Sequence, residues 1–180
     1  MIMGLCGLAC SGKDTFFKFA KEHCLMNGIS CNRFAFADEL KKEINDSLKA
    51  KLNISAFTED SKEKELIRPY LVSHGMKKRE SSNGYYWIDK IKDKVANFSD
   101  KKNITIITDV RFVNEVDWIN DAGGTSVHIS RQGNIPPNEE EKENDPKVMR
   151  KCRHRFNWLD FPEFPCSDAR ITVFNFLDII

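Results

Sequence analysis

Gly7-Leu8-Ala9-Cys10-Ser11-Gly12-Lys13-Asp14-Thr15, led into by the apolar run Met1-Ile2-Met3-Gly4-Leu5-Cys6, decides how the rest of this chain is read. The spacing is a glycine, four residues, then Gly-Lys, with Asp and Thr following. The apolar run predicts a buried first strand. Behind the loop, Phe16, Ala20 and Cys24 recur every fourth residue, with Phe17 and Phe19 beside them, and predict a partly buried helix. Strand, glycine loop and helix in that order are the context in which such a spacing binds phosphate. The glycines let several backbone N–H groups converge on one point, and the helix adds the positive end of its dipole. Lys13 then acts as a point cation on the outer phosphates. Gly7, Cys10, Ser11, Gly12, Lys13, Asp14 and Thr15 are therefore the candidate nucleotide-binding residues. Asp14 stands where a Ser or Thr usually holds magnesium. Either Asp14 reaches the metal, directly or through water, or Thr15 helps; the residues leave both open. A Gly-Ser turn capping an ordinary helix is the structural alternative, and the upstream strand speaks against it.

At 180 residues the chain has the length of one domain with a sizeable core. Its 28 Lys and Arg against 27 Asp and Glu leave a formal charge of +1, without the basic excess of a non-specific nucleic-acid binder. No stretch approaches the roughly 20 apolar residues of a membrane span. The first strand begins at the N-terminus, so no signal peptide is predicted and a cytoplasmic protein is expected. Six cysteines without C-x-x-C spacing are expected to be reduced thiols, and four scattered histidines suggest no zinc set.

Further along, Cys31–Phe36 alternates as a second strand, and Leu40, Ile44 and Leu48 give the following helix its apolar face, with Asp38 as its expected N-cap. A helix opening at Ser61 carries Ile67, Tyr70, Leu71 and His74, with Pro69 early in it as a kink and Gly75 near its end. Ile88, Ile91 and Val95 mark another helix. Asn103–Asp109 is β-branched and predicts a central strand buried on both faces. Phe112, Val116 and Ile119 predict a short helix closed by Gly123-Gly124, and Ser126–Ser130 a fourth strand. From Arg131 to about Asp160 no periodicity stands out. The acidic run Glu139–Glu143 is expected to be a solvated loop, and the whole stretch a mobile lid. Ala169–Val173 is expected to be the last strand.

Strands alternating with helices predict an α/β domain, a mainly parallel five-stranded sheet with helices on both faces. Ligands collect at the carboxyl ends of such strands. Lys13, Asp38, Asp109 with Arg111, and Arg131 fall there, after the first, second, third and fourth strands. Asp109 suits a carboxylate that orients magnesium or its water beside a phosphate loop, the alternative being a helix cap. Arg111 suits bidentate phosphate binding, the alternative being a salt bridge to Glu115. Arg68 and Arg79 flank a helix that can form a second wall. Trp87 can stack on a base or belong to the core.

The order of these motifs resembles the phage-type deoxynucleoside monophosphate kinases, within the nucleoside monophosphate kinase group of P-loop folds. The matching pieces are Gly7…Ser11-Gly12-Lys13-Asp14-Thr15, Phe36-Ala37-Asp38-Glu39-Leu40-Lys41, Ile67-Arg68-Pro69…Gly75 with Arg79 and Trp87, and Thr108-Asp109-Val110-Arg111-Phe112-Val113-Asn114-Glu115. Gly123-Gly124 and the strand to Arg131 complete them, over about residues 1–133. The resemblance implies a P-loop kinase fold, ATP and Mg²⁺ as cofactors, and a deoxynucleoside monophosphate as acceptor. It implies one domain over 1–180 with a substrate-binding helical segment about 38–99 and a lid about 131–160. It further implies that Asp38, Lys41, Arg68, Arg79 and Arg111 line the acceptor pocket, and that Arg131 reaches in from the lid. Lys13, Arg111 and Arg131 are then the catalytic cations, and Asp14 and Asp109 the metal carboxylates. Partners are limited to these small molecules, with neither nucleic acid nor membrane, and a homodimer is left open. P-loop phosphomevalonate kinases are similar in Ser11-Gly12-Lys13-Asp14, Leu40-Lys41 and Arg68…Gly75…Arg79, and are the alternative. A nucleotide-binding switch is a weaker one, because the chain has no Asn-Lys-x-Asp motif and Val110 follows Asp109.

Overall fold

The computed structural model describes residues 1–98, 103–161 and 164–180. Its elements are β1 (Ile2–Cys6), α1 (Lys13–Met26), β2 (Ser30–Phe34), α2 (Phe36–Leu52), α3 (Ser61–Glu80), α4 (Tyr86–Phe98), β3 (Asn103–Val110), α5 (Val113–Asp121), β4 (Thr125–Arg131), α6 (Glu139–Lys151), β5 (His154–Trp158) and α7 (Ser167–Leu177). Residue 99, where the helical segment read from the sequence ends, lies outside the described residues. The chain divides into two compact units: 1–34 with 94–180, and 35–93 inserted between them.

The first unit holds a five-stranded sheet, all parallel, in the order β2-β3-β1-β4-β5. β1 lies in the middle, with Gly4 opposite Ile107 of β3 and Ser126 of β4. Successive side chains of a strand point to opposite faces. Met3 and Leu5 accordingly join Phe16, Phe19 and Ala20 of α1 and Ala169 and Val173 of α7 in one core, with Ile106, Val127, Ile129, Phe156 and Trp158. Phe16 meets Phe156 edge to face, ring centroids 5.0 Å apart. On the other face a Cβ at Gly4 would stand 2.4 Å from Ile119 Cδ1, so α5 lies directly on the sheet there. Each large aliphatic or aromatic side chain buried in this way contributes about 1.5–3 kcal/mol.

Three expected elements differ from those observed. Ala169–Val173 is part of α7, not a strand. Ala169 and Val173 are fully buried at helical spacing while Ile171 between them is half exposed, whereas a strand would put all three on one face. Cys166 caps this helix, its Sγ accepting from the Ala169 N–H at 3.4 Å. The fifth strand is instead β5, inside the stretch expected to be an irregular lid. Phe156 and Trp158 point inward, and Arg155 and Asn157 are exposed. The acidic run is the first turn and a half of α6, where negative side chains complement the helix dipole.

The inserted unit packs α2 on α3. A second apolar cluster there joins Leu48, Ile54, Ala56 and Ile67. Ala35, not Asp38, is the N-cap of α2, and Asp38 sits in its first turn. Asp60 caps α3, its carboxylate accepting from the N–H groups of Lys62 and Glu63 at 2.9 Å each. Pro69 lies within α3, and the helix continues past Gly75 to Glu80. Gly75 is needed for packing: a Cβ there would stand 2.7 Å from Leu40 Cδ1.

Glu43 of α2 ties this unit together through charge. It accepts from Tyr86 Oη at 2.7 Å, and it pairs with His74 at 3.0 Å, Lys78 at 3.1 Å and Lys90 at 3.5 Å. Burial works to raise its pKa, but the hydrogen bonds from Tyr86, Lys78 and His74 together with the Lys78 charge outweigh it and bring Glu43 down to about 2. A depressed carboxyl stabilises the fold above its unfolded value near 4.5, and that contribution is lost as pH falls toward 2. Glu43→Gln should therefore lower Tm at pH 6 and flatten the fall of Tm between pH 4.5 and 2 relative to wild type. Thermal melts across that window check this; parallel curves for the two proteins would exclude the Glu43 network as a source of acid sensitivity.

Candidate active site

The loop after β1 is shaped by two glycines with positive φ, +122° at Gly7 and +87° at Gly12. A Cβ on Gly7 would stand 2.2 Å from the Ile129 carbonyl oxygen, and one on Gly12 would stand 2.4 Å from Trp158 Nε1. Both conformation and space exclude a side chain at either place. Cys10 also has a positive φ, +61°, and is exposed, so its side chain is not what shapes the loop. Among the described residues, Ser11 Oγ and Trp158 Nε1 are buried polar atoms with no hydrogen-bond partner. A buried polar atom without a partner is costly, and one of these lies within the loop whose spacing fits phosphate and the other against it. The loop, Lys13 and the start of α1 thus suit the polyphosphate of a nucleotide.

Lys13 Nζ donates to the carbonyl oxygens of Gly7 at 2.7 Å and Leu8 at 2.6 Å. Burial pushes its pKa below the ordinary value and the Arg111 charge adds to this, while Glu141 and Asp14 oppose it. Asp14 is exposed in the first turn of α1, and Asp109 is half-buried one residue before the end of β3. Magnesium is usually held by one or two carboxylates plus phosphate and water, and Asp14 and Asp109 are donors of the kind the ion takes. No group of three or more His, Cys, Asp or Glu side chains forms a metal site among the described residues.

Arg111 follows β3 directly. The alternative of a salt bridge to Glu115 is not what its guanidinium makes. The buried Glu115 carboxylate accepts instead from the backbone N–H of Arg111 at 2.8 Å and of Phe112 at 3.1 Å, which caps α5. The guanidinium pairs with α6: Arg111 Nη1 donates to Glu141 Oε1 at 2.8 Å. The other oxygen, Glu141 Oε2, accepts the Ala9 N–H of the glycine loop at 2.8 Å. Asn134 Nδ2 donates to the Ala9 carbonyl at 3.0 Å, so both backbone polar groups of Ala9 are held from outside the loop. Gly7, Leu8, Val110, Arg111, Glu141 and Asp145 share the wall of a small cavity here.

Arg131 is the last residue of β4, exposed, its guanidinium 4.4 Å from the centroid of the Phe164 ring. Asp38, Lys41, Arg68, Arg79 and Trp87 belong to the inserted unit. Lys41 Nζ lies 5.8 Å from the Phe57 ring, Arg68 is exposed on α3, and Arg79 Nη1 donates to the Gly84 carbonyl at 3.5 Å. Trp87 is buried, and its Nε1 donates to the Gly75 carbonyl at 3.3 Å. It is a core residue, not a platform for a base.

Glu141, Asn134 and Trp158 are the residues of this site that sequence reasoning missed. One signal for Glu141 was present. Asn138 stands three residues ahead of it and caps α6, its side chain accepting from the Glu141 N–H at 2.8 Å. An Asn followed three residues later by Glu is a helix-start pattern that turns a run of acids into a first turn. No comparable pattern announces Trp158.

Gly12→Ala should weaken ADP binding about tenfold or more, since it forces a side chain into a left-handed conformation and against the Trp158 indole. Isothermal titration with ADP and Mg²⁺ checks this, with circular dichroism to confirm that the variant folds. Unchanged affinity would mean that the loop does not hold the nucleotide.

The phosphomevalonate kinase family model matches residues 5–125, about two-thirds of the chain. No curated protein sequence matches. Shikimate kinase from Aquifex aeolicus is similar in structure, with a TM-score of 0.50 and 17% identity over 99% of this chain and 96% of that one. The Thermus thermophilus protein TT1252 gives a TM-score of 0.51 and 9% identity, again over 99% and 96%. Thymidylate kinase from Ehrlichia chaffeensis is more distant, with a TM-score of 0.43 and 14% identity over 99% and 97%. The sheet order, the glycine loop at the end of its middle strand and the matched residues lead to one family: this chain is a P-loop kinase and belongs to the phosphomevalonate kinase family.

Proposed function

We propose that the protein transfers the γ-phosphoryl group of ATP to the phosphate of a phosphate monoester, giving a diphosphate, and that a deoxynucleoside monophosphate is the acceptor. The observation that carries the transfer is the meeting of Lys13, Arg111 and the Ala9 amide around one loop at the end of β1. An acceptor phosphate oxygen is already anionic, so no side-chain nucleophile or strong base is needed. What remains is positioning and neutralisation of charge. Lys13 would leave the Gly7 and Leu8 carbonyls for the outer phosphates. Arg111 would face the charge that develops on the transferred group, and Arg131 would add to it from the end of β4. Asp14 and Asp109 would hold Mg²⁺, directly or through water, and the ion would neutralise the phosphate oxygens.

The deoxynucleotide reading is supported by Asp109-Val110-Arg111-Phe112-x-Asn114-Glu115, whose arginine takes its place beside the loop. Asp38, Lys41, Arg68 and Arg79 are the proposed acceptor contacts. A second reading, phosphomevalonate as acceptor, is favoured by the family match and by the burial of Trp87, which removes one aromatic surface for a base. Both acceptors are phosphate monoesters and ask the same of Lys13 and Arg111.

Coupled ADP release from ATP and Mg²⁺, with a panel of deoxynucleotides, ribonucleotides and phosphomevalonate, separates the readings. Turnover with at least one deoxynucleoside monophosphate is expected. Lys13→Met should keep the fold and cut kcat by about two orders of magnitude or more, the scale of losing one preorganised charge contact. Turnover with phosphomevalonate alone would establish the second reading; no turnover with any acceptor would overturn both.

A further inference from the structure

Glu141 stands apart from its acidic neighbours. Glu139 and Glu140 are exposed, whereas Glu141 is only 8% exposed. A buried carboxylate is costly unless charge and hydrogen bonds compensate it. Here the compensation comes from the phosphate machinery itself: one oxygen holds the Ala9 amide of the loop and the other holds Arg111. Its charge also acts on Lys13. Arg111 is itself half exposed, its side chain at 50%, with Nη1 committed to Glu141.

We infer that Glu141 is a positioning residue: its carboxylate locks Arg111 and the loop into one arrangement, so that the guanidinium meets the transferred phosphoryl group without having to be ordered during the reaction. A long arginine side chain loses considerable rotamer freedom when it is fixed. The tether to a buried carboxylate on α6 takes that loss at the folding step instead. The N-cap Asn138 fixes where α6 begins, and so where Glu141 stands. This role rests on the phosphoryl-transfer reading above, and it deepens that reading by assigning a task to α6.

Glutamine is the discriminating replacement. Two donors, the Ala9 N–H and Arg111 Nη1, converge on the two carboxylate oxygens. A side-chain amide keeps the shape but replaces one acceptor oxygen by an NH2 group that only donates, so it can satisfy only one of them. Glu141→Gln should lower kcat about 10–100-fold and leave KM for ATP within about threefold, the scale of a misplaced catalytic group. ADP affinity should fall by no more than about threefold, whereas binding of ADP with aluminium fluoride, which mimics the transferred group, should weaken about tenfold or more. Arg111→Lys should show the same split, and the double variant should be no worse than the poorer single one. Thermal melts separate this from simple unfolding, and Arg111→Lys serves as the second probe should Glu141→Gln fold poorly. If wild type turned over no acceptor, the functional reading would fail, yet the ADP–aluminium fluoride measurement would still test Glu141. Wild-type affinity for that complex in both variants, additive losses in the double variant, or a change confined to KM would overturn the proposal.

Discussion

A turn with no room for side chains joins the middle strand of a parallel sheet to its first helix, and the rest of the molecule is arranged around it. β1 has β3 on one side and β4 on the other, so the chain leaving β1 emerges between the carboxyl ends of both neighbours. The Ile129 carbonyl crowds Gly7 and the Trp158 indole crowds Gly12. The loop therefore does not hold its own shape. β4 and β5 press it into shape, and α6 and the segment before it pin Ala9 from both sides.

The same site concentrates charge in a half-buried place. Lys13 and Arg111 act on each other unfavourably, and Glu141 offsets both. A second carboxylate, Glu115, does a different task nearby: it satisfies two backbone N–H groups at the start of α5 and so fixes the turn on which Arg111 stands. Two glutamates thus hold one arginine, one by its backbone and one by its guanidinium. In the inserted unit the order is reversed, with a single carboxylate, Glu43, gathering two lysines, a histidine and a tyrosine. Such gathered partners are why Glu43 stays ionised in acid far below an ordinary glutamate.

Among the described residues no helix is long and apolar enough to cross a membrane. The sheet unit carries the loop, Asp109, Arg111 and Arg131, while Asp38, Lys41, Arg68 and Arg79 are carried on helices of the inserted unit.

Sequence alone was enough for β1, the glycine loop, α1 and β3, because their signals are local. Left-handed glycines, a lysine at fixed spacing and a β-branched run act within a few residues of themselves. The parallel sheet followed from the alternation of strands and helices, and the strand-end rule picked out Asp109 and Arg111. What only tertiary structure decided lies after Arg131. β5 has two inward residues and a basic surround, too little for periodicity, and it is a strand because β4 offers it a free edge. Ala169–Val173 is β-branched, yet it is helical because the sheet face beside α1 needs covering and residues at helical spacing cover it. Trp87 was ambiguous because an indole suits a core and a base equally, and its neighbours chose the core. Glu141 looked like any acid in a run of acids. Its partners, Ala9 and Arg111, are 132 and 30 residues away, and no local pattern carries a charge balance made across that distance.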